Sequence, residues 1–126
     1  MPSPTLLTRI YCNVYYGQNT YLYYIGENHG STSAGTVDVS VGDGTIKGFN
    51  VSVKLNPENN YVTFWIVKNG SRLTESAISF AAGEVGNKHI DLDIPVADGD
   101  TICICIRYAG QTSSAYMEAY CTIDFL

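Results

Sequence analysis

Along most of the chain, hydrophobic and polar residues alternate with a period of two, the spacing of a strand with one buried face. The three-to-four-residue spacing of an amphipathic helix is almost absent. From Thr8 to Tyr16, residues Ile10, Cys12, Val14 and Tyr16 share one face, and Arg9, Tyr11, Asn13 and Tyr15 the other. "YGQNT" turns this strand into a second, Tyr21–Ile25, and "GENHGSTSAG" (Gly26–Gly35) predicts a flexible loop. "TVDVSVGDGTIKGFNVSVKL" alternates again around a turn at "VGDGT", with Phe49, Val51, Val53 and Leu55 facing one way. A polar corner, Asn56–Asn60, precedes "YVTFWIVKNGSRL". That strand closes on Asn69-Gly70, the dipeptide best suited to a type I′ hairpin because both central residues need positive φ. Short strands follow at Ala77–Ala81 and around Ile90–Ile94, where Asp91 and Asp93 alternate with Ile90, Leu92 and Ile94 and Pro95 marks an edge or strand end. Thr101–Tyr108 and Tyr116–Leu126 complete the chain, the last with Met117, Ala119, Cys121, Ile123 and Phe125 on one face.

Roughly eight to ten short strands with no helix predict an all-β fold, an antiparallel β-sandwich or jelly roll. At 126 residues, with neither a repeat nor a linker, the sequence reads as one domain, 1–126. Residues 1–7, with two prolines that resist regular structure, are a candidate N-terminal arm.

The run "DGDTICICIRY" (Asp98–Tyr108) raises the question of metal, disulfide or redox chemistry. Cys103 and Cys105 share a strand face at roughly 6.5–7 Å, too far apart to bridge each other without distortion. A structural zinc site wants a wider C-x2–4-C spacing and a second ligand pair, and Cys12 and Cys121 both lie in apolar strands. The expectation is cysteine acting as a small hydrophobe on a strand covered on both faces, with no metal and no cofactor. A contact between Cys12 and Cys121 stays open, should the first and last strands be neighbours.

A net charge of −5 provides no basic patch for phosphates, which argues against nucleic acid and against attachment to anionic membranes. The N-terminus lacks a cationic start with an apolar core, so no signal peptide is expected, and no run reaches the length of a membrane helix. Asp91, Asp93, Asp98 and Asp100 form an acidic cluster that calcium could use, although "ADGD" is also ordinary turn chemistry. His29 near Ser31 and Ser33 lacks an orienting third group, and the chain carries neither a G-x-S-x-G elbow nor a phosphate loop, so no catalytic residue is nominated. Trp65, the sole tryptophan, sits inside an apolar strand and reads as core.

The tyrosines are more informative. Ten in 126 residues is high, and tyrosine favours strands and interfaces, where the ring is buried and the hydroxyl finds a partner. Tyr11 and Tyr15 on the first strand, with Tyr116 and Tyr120 on the last, would make one aromatic patch if those strands are adjacent. A patch of that kind implies a partner.

From about Gly44 to Leu126 the chain resembles the small jelly-roll modules of bacteriophage virions, which look like distant relatives of the trimeric tumour-necrosis-factor and complement-type jelly rolls. The matching marks are Asn69-Gly70 after a hydrophobic strand, the "AAGE" corner at Ala81–Glu84 and the "VADGDTI" lead-in at Val96–Ile102. The resemblance implies a homotrimer with its first and last strands near the threefold axis. It also implies a non-enzymatic virion protein of the capsid-decoration or head-fibre type, made in the host cytoplasm and bound to a capsid or other virion protein. The alternative is a receptor-binding module that holds a host glycan or surface protein through loop residues such as Asn28, His29 and Gln111.

Overall fold

The computed structural model describes residues 6–14, 22–26, 29–31, 39–40, 42–108 and 117–126, with the strands before residue 40 given by backbone and register alone. Eleven strands occur among these residues: β1 (Leu6–Val14), β2 (Leu22–Gly26), β3 (His29–Ser31), β4 (Val39–Ser40), β5 (Gly44–Leu55), β6 (Val62–Lys68), β7 (Ser71–Arg72), β8 (Ile78–Phe80), β9 (Gly86–Val96), β10 (Thr101–Tyr108) and β11 (Met117–Phe125). A single 3-10 turn at Thr74–Ser76 is the helical element among them, and no helix of the described residues is long and apolar enough to cross a membrane.

One sheet has the order β1-β11-β5-β9, and the other β3-β2-β10-β6-β7, with β8 also pairing β6 and β4 pairing β10. Every pairing is antiparallel. The eight principal strands pair first with last, second with second-last, and so inward: β1 with β11, β2 with β10, β5 with β9, β6 with β8. This is one long antiparallel hairpin wound upon itself, which brings β11 against β5 and β10 against β6 and makes a jelly roll.

The alternation read from the sequence explains why the sheets stack. β11 is strictly alternating in burial, with Met117, Ala119, Cys121, Ile123 and Phe125 turned inward. β5 contributes Ile46, Phe49, Val51 and Val53, and the facing sheet contributes Val62, Phe64 and Ile66 with Ile102, Ile104 and Ile106. Phe64 and Phe80 meet edge to face at 5.8 Å between ring centres, an arrangement favoured by the aromatic quadrupole. Ser76, fully buried, donates to the Leu73 carbonyl at 2.6 Å and accepts from the Ile66 amide at 2.8 Å, so its hydroxyl carries no desolvation penalty.

The isoleucines of "ICICI" face this core while Cys103 and Cys105 face the outer side of their sheet, in a second buried cluster with Val67. Both faces of β10 are therefore covered, and Cys103 and Cys105 remain thiols. Trp65 belongs to that outer cluster, half-buried under Arg72 at 4.9 Å, which corrects its placement in the main core. β1 pairs β11 with Cys12 opposite Ala119 and Cys121 opposite Ile10. The two cysteines are thus diagonal neighbours, about 7–8 Å apart, beyond ordinary disulfide reach, and Cys121 is a thiol.

Two expectations shift. The glycine-rich stretch at 26–35 contains β3, which pairs β2 through Tyr24–Ser31 and Gly26–His29. Leu6 and Leu7, counted in the candidate arm, belong to β1 opposite Phe125 and Asp124. The Asn69-Gly70 turn takes φ of 53° and 81°, both positive as a type I′ hairpin requires, with Lys68 paired to Ser71.

Candidate functional site

The outer face of the four-stranded sheet carries a polar network that spans three strands. Register aligns its strands in cross-strand rows: Tyr11–Tyr120–Ser52–Asn87, then Arg9–Thr122–Asn50–His89, then Leu7–Asp124–Gly48–Asp91. These positions alternate with buried core residues on β11 and β5, so the same period that fills the core sends Asn50, Ser52, Tyr120 and Thr122 outward.

Asn50 is the centre of a lateral network. Its amide nitrogen donates to Thr122 Oγ1 at 3.0 Å and to Asp124 Oδ1 at 3.3 Å, and its amide oxygen bonds to His89 Nδ1. His89 Nε2 in turn meets Asp91 Oδ1 at 2.6 Å. Gly48 lies beneath: a Cβ there would come within 2.7 Å of Asp124 Oδ2 and 2.8 Å of His89 Cε1, so the network closes only over a glycine. The network ties β11, β5 and β9 together across their strands.

One position away, the chemistry changes. Ser52 Oγ is buried and has no hydrogen-bond partner among the described residues. It lines a groove of about 720 Å³ together with Tyr120, Lys54, Asn87 and His89. Tyr120, half-buried, donates its hydroxyl to Glu118 Oε1 at 2.6 Å, which fixes the ring as the wall of the groove on the β1 side.

The structure distributes the residues singled out in the sequence. Tyr11 and Tyr120 are brought into direct register. Tyr15, Tyr116, Asn28 and Gln111 lie outside the described residues, and His29 begins β3 opposite Gly26. The four aspartates separate: Asp91 binds His89, Asp93 pairs with Lys47 at 2.9 Å, Asp98 donates its backbone amide to Asp43, and Asp100 caps the β9–β10 turn. Hydrogen bonds from Asn69 and the Ala97 amide, with Lys68 beside them, hold the Asp100 carboxyl below the usual carboxylate range. Among the described residues no group of three or more His, Cys, Asp and Glu side chains is placed to hold a metal ion. Burial pushes the Cys121 thiol well above its ordinary value, so it is no thiolate nucleophile.

Sequence reasoning missed Asn50, Ser52, Lys54, Asn87 and His89. The visible signal was the alternation of "FNVSVK", Phe49 to Lys54, which marks Asn50 and Ser52 as outward. What it lacked was register, which alone sets Asn87 and His89 beside them.

Fold and site together define a jelly-roll domain with a polar, grooved outer sheet face. No protein-family model matches this chain, and no curated protein matches it in sequence.

Proposed function

We propose that this chain is a non-enzymatic virion structural protein, a trimeric capsid-decoration or head-fibre protein of a bacteriophage, whose copies meet through the β1–β11 side of the outer sheet face. The observation that carries this reading is the register of Tyr11 against Tyr120 on the first and last strands. Two aromatics in one cross-strand pair supply large, stiff contact area at little entropic cost, the kind of residue enriched where subunits meet.

Three further features support it. The turn chemistry behind the virion resemblance takes the backbone form its residues suggest: Asn69-Gly70 as above, Ala81 and Glu84 exchanging two hydrogen bonds, and Asp100 accepting from the Ala97 amide. His89, on the sheet face, is held in a structural pairing at both ring nitrogens by Asn50 and Asp91. An acidic chain of net charge −5 suits protein partners better than nucleic acid or anionic lipid.

The test is addition of the purified protein to phage capsids that lack it. Stoichiometric binding with a raised capsid melting temperature is the expected result. Protein that neither binds nor protects the shell removes the decoration role.

A further inference from the structure

Neighbouring rows on the outer sheet face differ in one respect that matters for recognition. In the row Thr122–Asn50–His89, both functional atoms of the Asn50 amide and both nitrogens of the His89 ring are engaged within the protein. In the row Tyr120–Ser52–Asn87, Ser52 Oγ is buried with no partner, and no hydrogen bond or ion pair engages the Asn87 amide or the nearby Lys54 ammonium among the described residues. A buried hydroxyl without a partner loses its hydration with nothing in return, and native structures rarely keep one that nothing fills.

The groove holding these groups has a charge opposite to that of the molecule. The whole chain carries −5, yet the described residues lining the groove include Lys54, Lys88 and His89 and no aspartate or glutamate. Lys88 is already held by Glu84 and the Ser79 carbonyl, which leaves Lys54, among the described residues, as the cation presented to a ligand. At about 720 Å³ the space falls within the range of small-molecule sites.

We propose that this groove binds a carboxylate-bearing saccharide. Lys54 meets the carboxylate through a charge-assisted hydrogen bond. Ser52 and Asn87, directly opposite each other on β5 and β9, meet ring hydroxyls, which both donate and accept as the serine hydroxyl and the asparagine amide require. The Tyr120 ring, fixed by its bond to Glu118, offers an apolar wall to the C–H face of the sugar. A row of short donors ending in an aromatic wall matches a flat ring edged with hydroxyls. An aliphatic acid would satisfy Lys54 but leave Ser52 and Asn87 unanswered. This site shares Tyr120 with the proposed subunit contact, while its polar groups lie on the β5–β9 side, away from β1.

The test is a titration of the full chain, followed by amide ¹H–¹⁵N NMR, with glucuronic acid and N-acetylneuraminic acid as probes and glucose as the uncharged control. The expected result is saturable shifts at Ser52, Lys54 and Asn87 with at least one acid, and binding about tenfold weaker for glucose. Lys54→Gln is expected to weaken the acid about tenfold while leaving glucose unchanged, and Asn87→Ala to weaken both. Both side chains are exposed, and the dispersion of the same spectra reports whether each variant is folded. Absence of saturable shifts with both acids, glucose binding as tightly as the acids, or full affinity in Lys54→Gln overturns the proposal. A trimer on a sizing column that binds neither acid overturns it equally, because a neighbouring copy then occupies the groove, and the virion reading survives that result.

Discussion

Asn50 and Ser52 sit two residues apart on β5, on the same face, between the same two neighbouring strands, and they do opposite things. Asn50 joins Thr122, Asp124 and His89 into a closed lattice, whereas Ser52 buries a hydroxyl that meets no partner among the described residues. The backbone environment is shared, so the difference lies in the side chains across the strands: Thr122 and His89 reach Asn50, while Tyr120 turns its hydroxyl to Glu118 and Asn87 makes no bond back. A sheet face can therefore hold a stabilising row and a recognition row side by side. Which is which depends on hydrogen-bond completeness, not on polarity.

The comparison can be broken from beneath. Phe49 is fully buried on the core side of β5, next to Asn50 and three residues from Ser52, and Phe49→Ala should cost about 3–5 kcal/mol. Chemical denaturation would show that loss, and both rows should loosen together; selective loss of one row would mean they do not share a foundation. A narrower break is Gly48→Val. The added carbons must displace the Asp124 carboxylate and the His89 ring, at about 1–3 kcal/mol for the overpacking. His89 ring resonances should move while the Ser52 amide stays near its wild-type position.

Removing the central side chains sharpens the contrast. Asn50→Ala leaves Asp124 and His89 without their shared partner and should cost about 1–3 kcal/mol. Ser52→Ala deletes an unsatisfied hydroxyl and should change stability by less than about 0.5 kcal/mol or raise it. Equal losses from the two substitutions, measured by urea midpoint at constant m-value, would erase the distinction between the rows.

The smallest effect lies away from the face and is read by pH. Asp100, through Asn69 and the Ala97 amide, and Glu84, through the Ala81 amide and then Lys88, both titrate below their ordinary values in the folded chain. Between the folded and unfolded values the unfolded chain binds more protons, so stability rises with pH there. The contribution is complete above about pH 4–5 and is lost as pH falls through the lowered folded values. Asp100→Asn should make the acid limb of the stability curve shallower. An unchanged limb would mean that the cap at the β9–β10 turn contributes nothing measurable.

Much of the fold was legible because it is local. β10 occupies the span its apolar run suggests, the Asn69-Gly70 hairpin follows from two residues that tolerate positive φ, and the alternation of β11 matches its burial residue by residue. β3 was not legible: "HGS" has no strand propensity of its own and becomes extended by pairing with β2. The site was hidden for a related reason. Asn50 is 39 residues from His89 and 72 from Thr122, and only the jelly-roll winding brings them into one row. Conversely, the four aspartates are close in sequence, yet strand faces and the turn send Asp91, Asp93 and Asp100 to separate partners. Tyr11 and Tyr120 fell between these cases: their faces followed from alternation, and their meeting needed only the pairing of the first strand with the last.

The central claim is the proposal that copies of this chain meet on the outer sheet face at Tyr120. The measurement that tests it most directly is the solution mass of the wild-type chain and of Tyr120→Asp by light scattering on a sizing column. A wild-type mass of about 41 kDa, three times 13.7 kDa, falling to the monomer mass in the folded variant, is the expected result. A wild-type monomer at 13.7 kDa, or a trimer that survives the substitution, would contradict it.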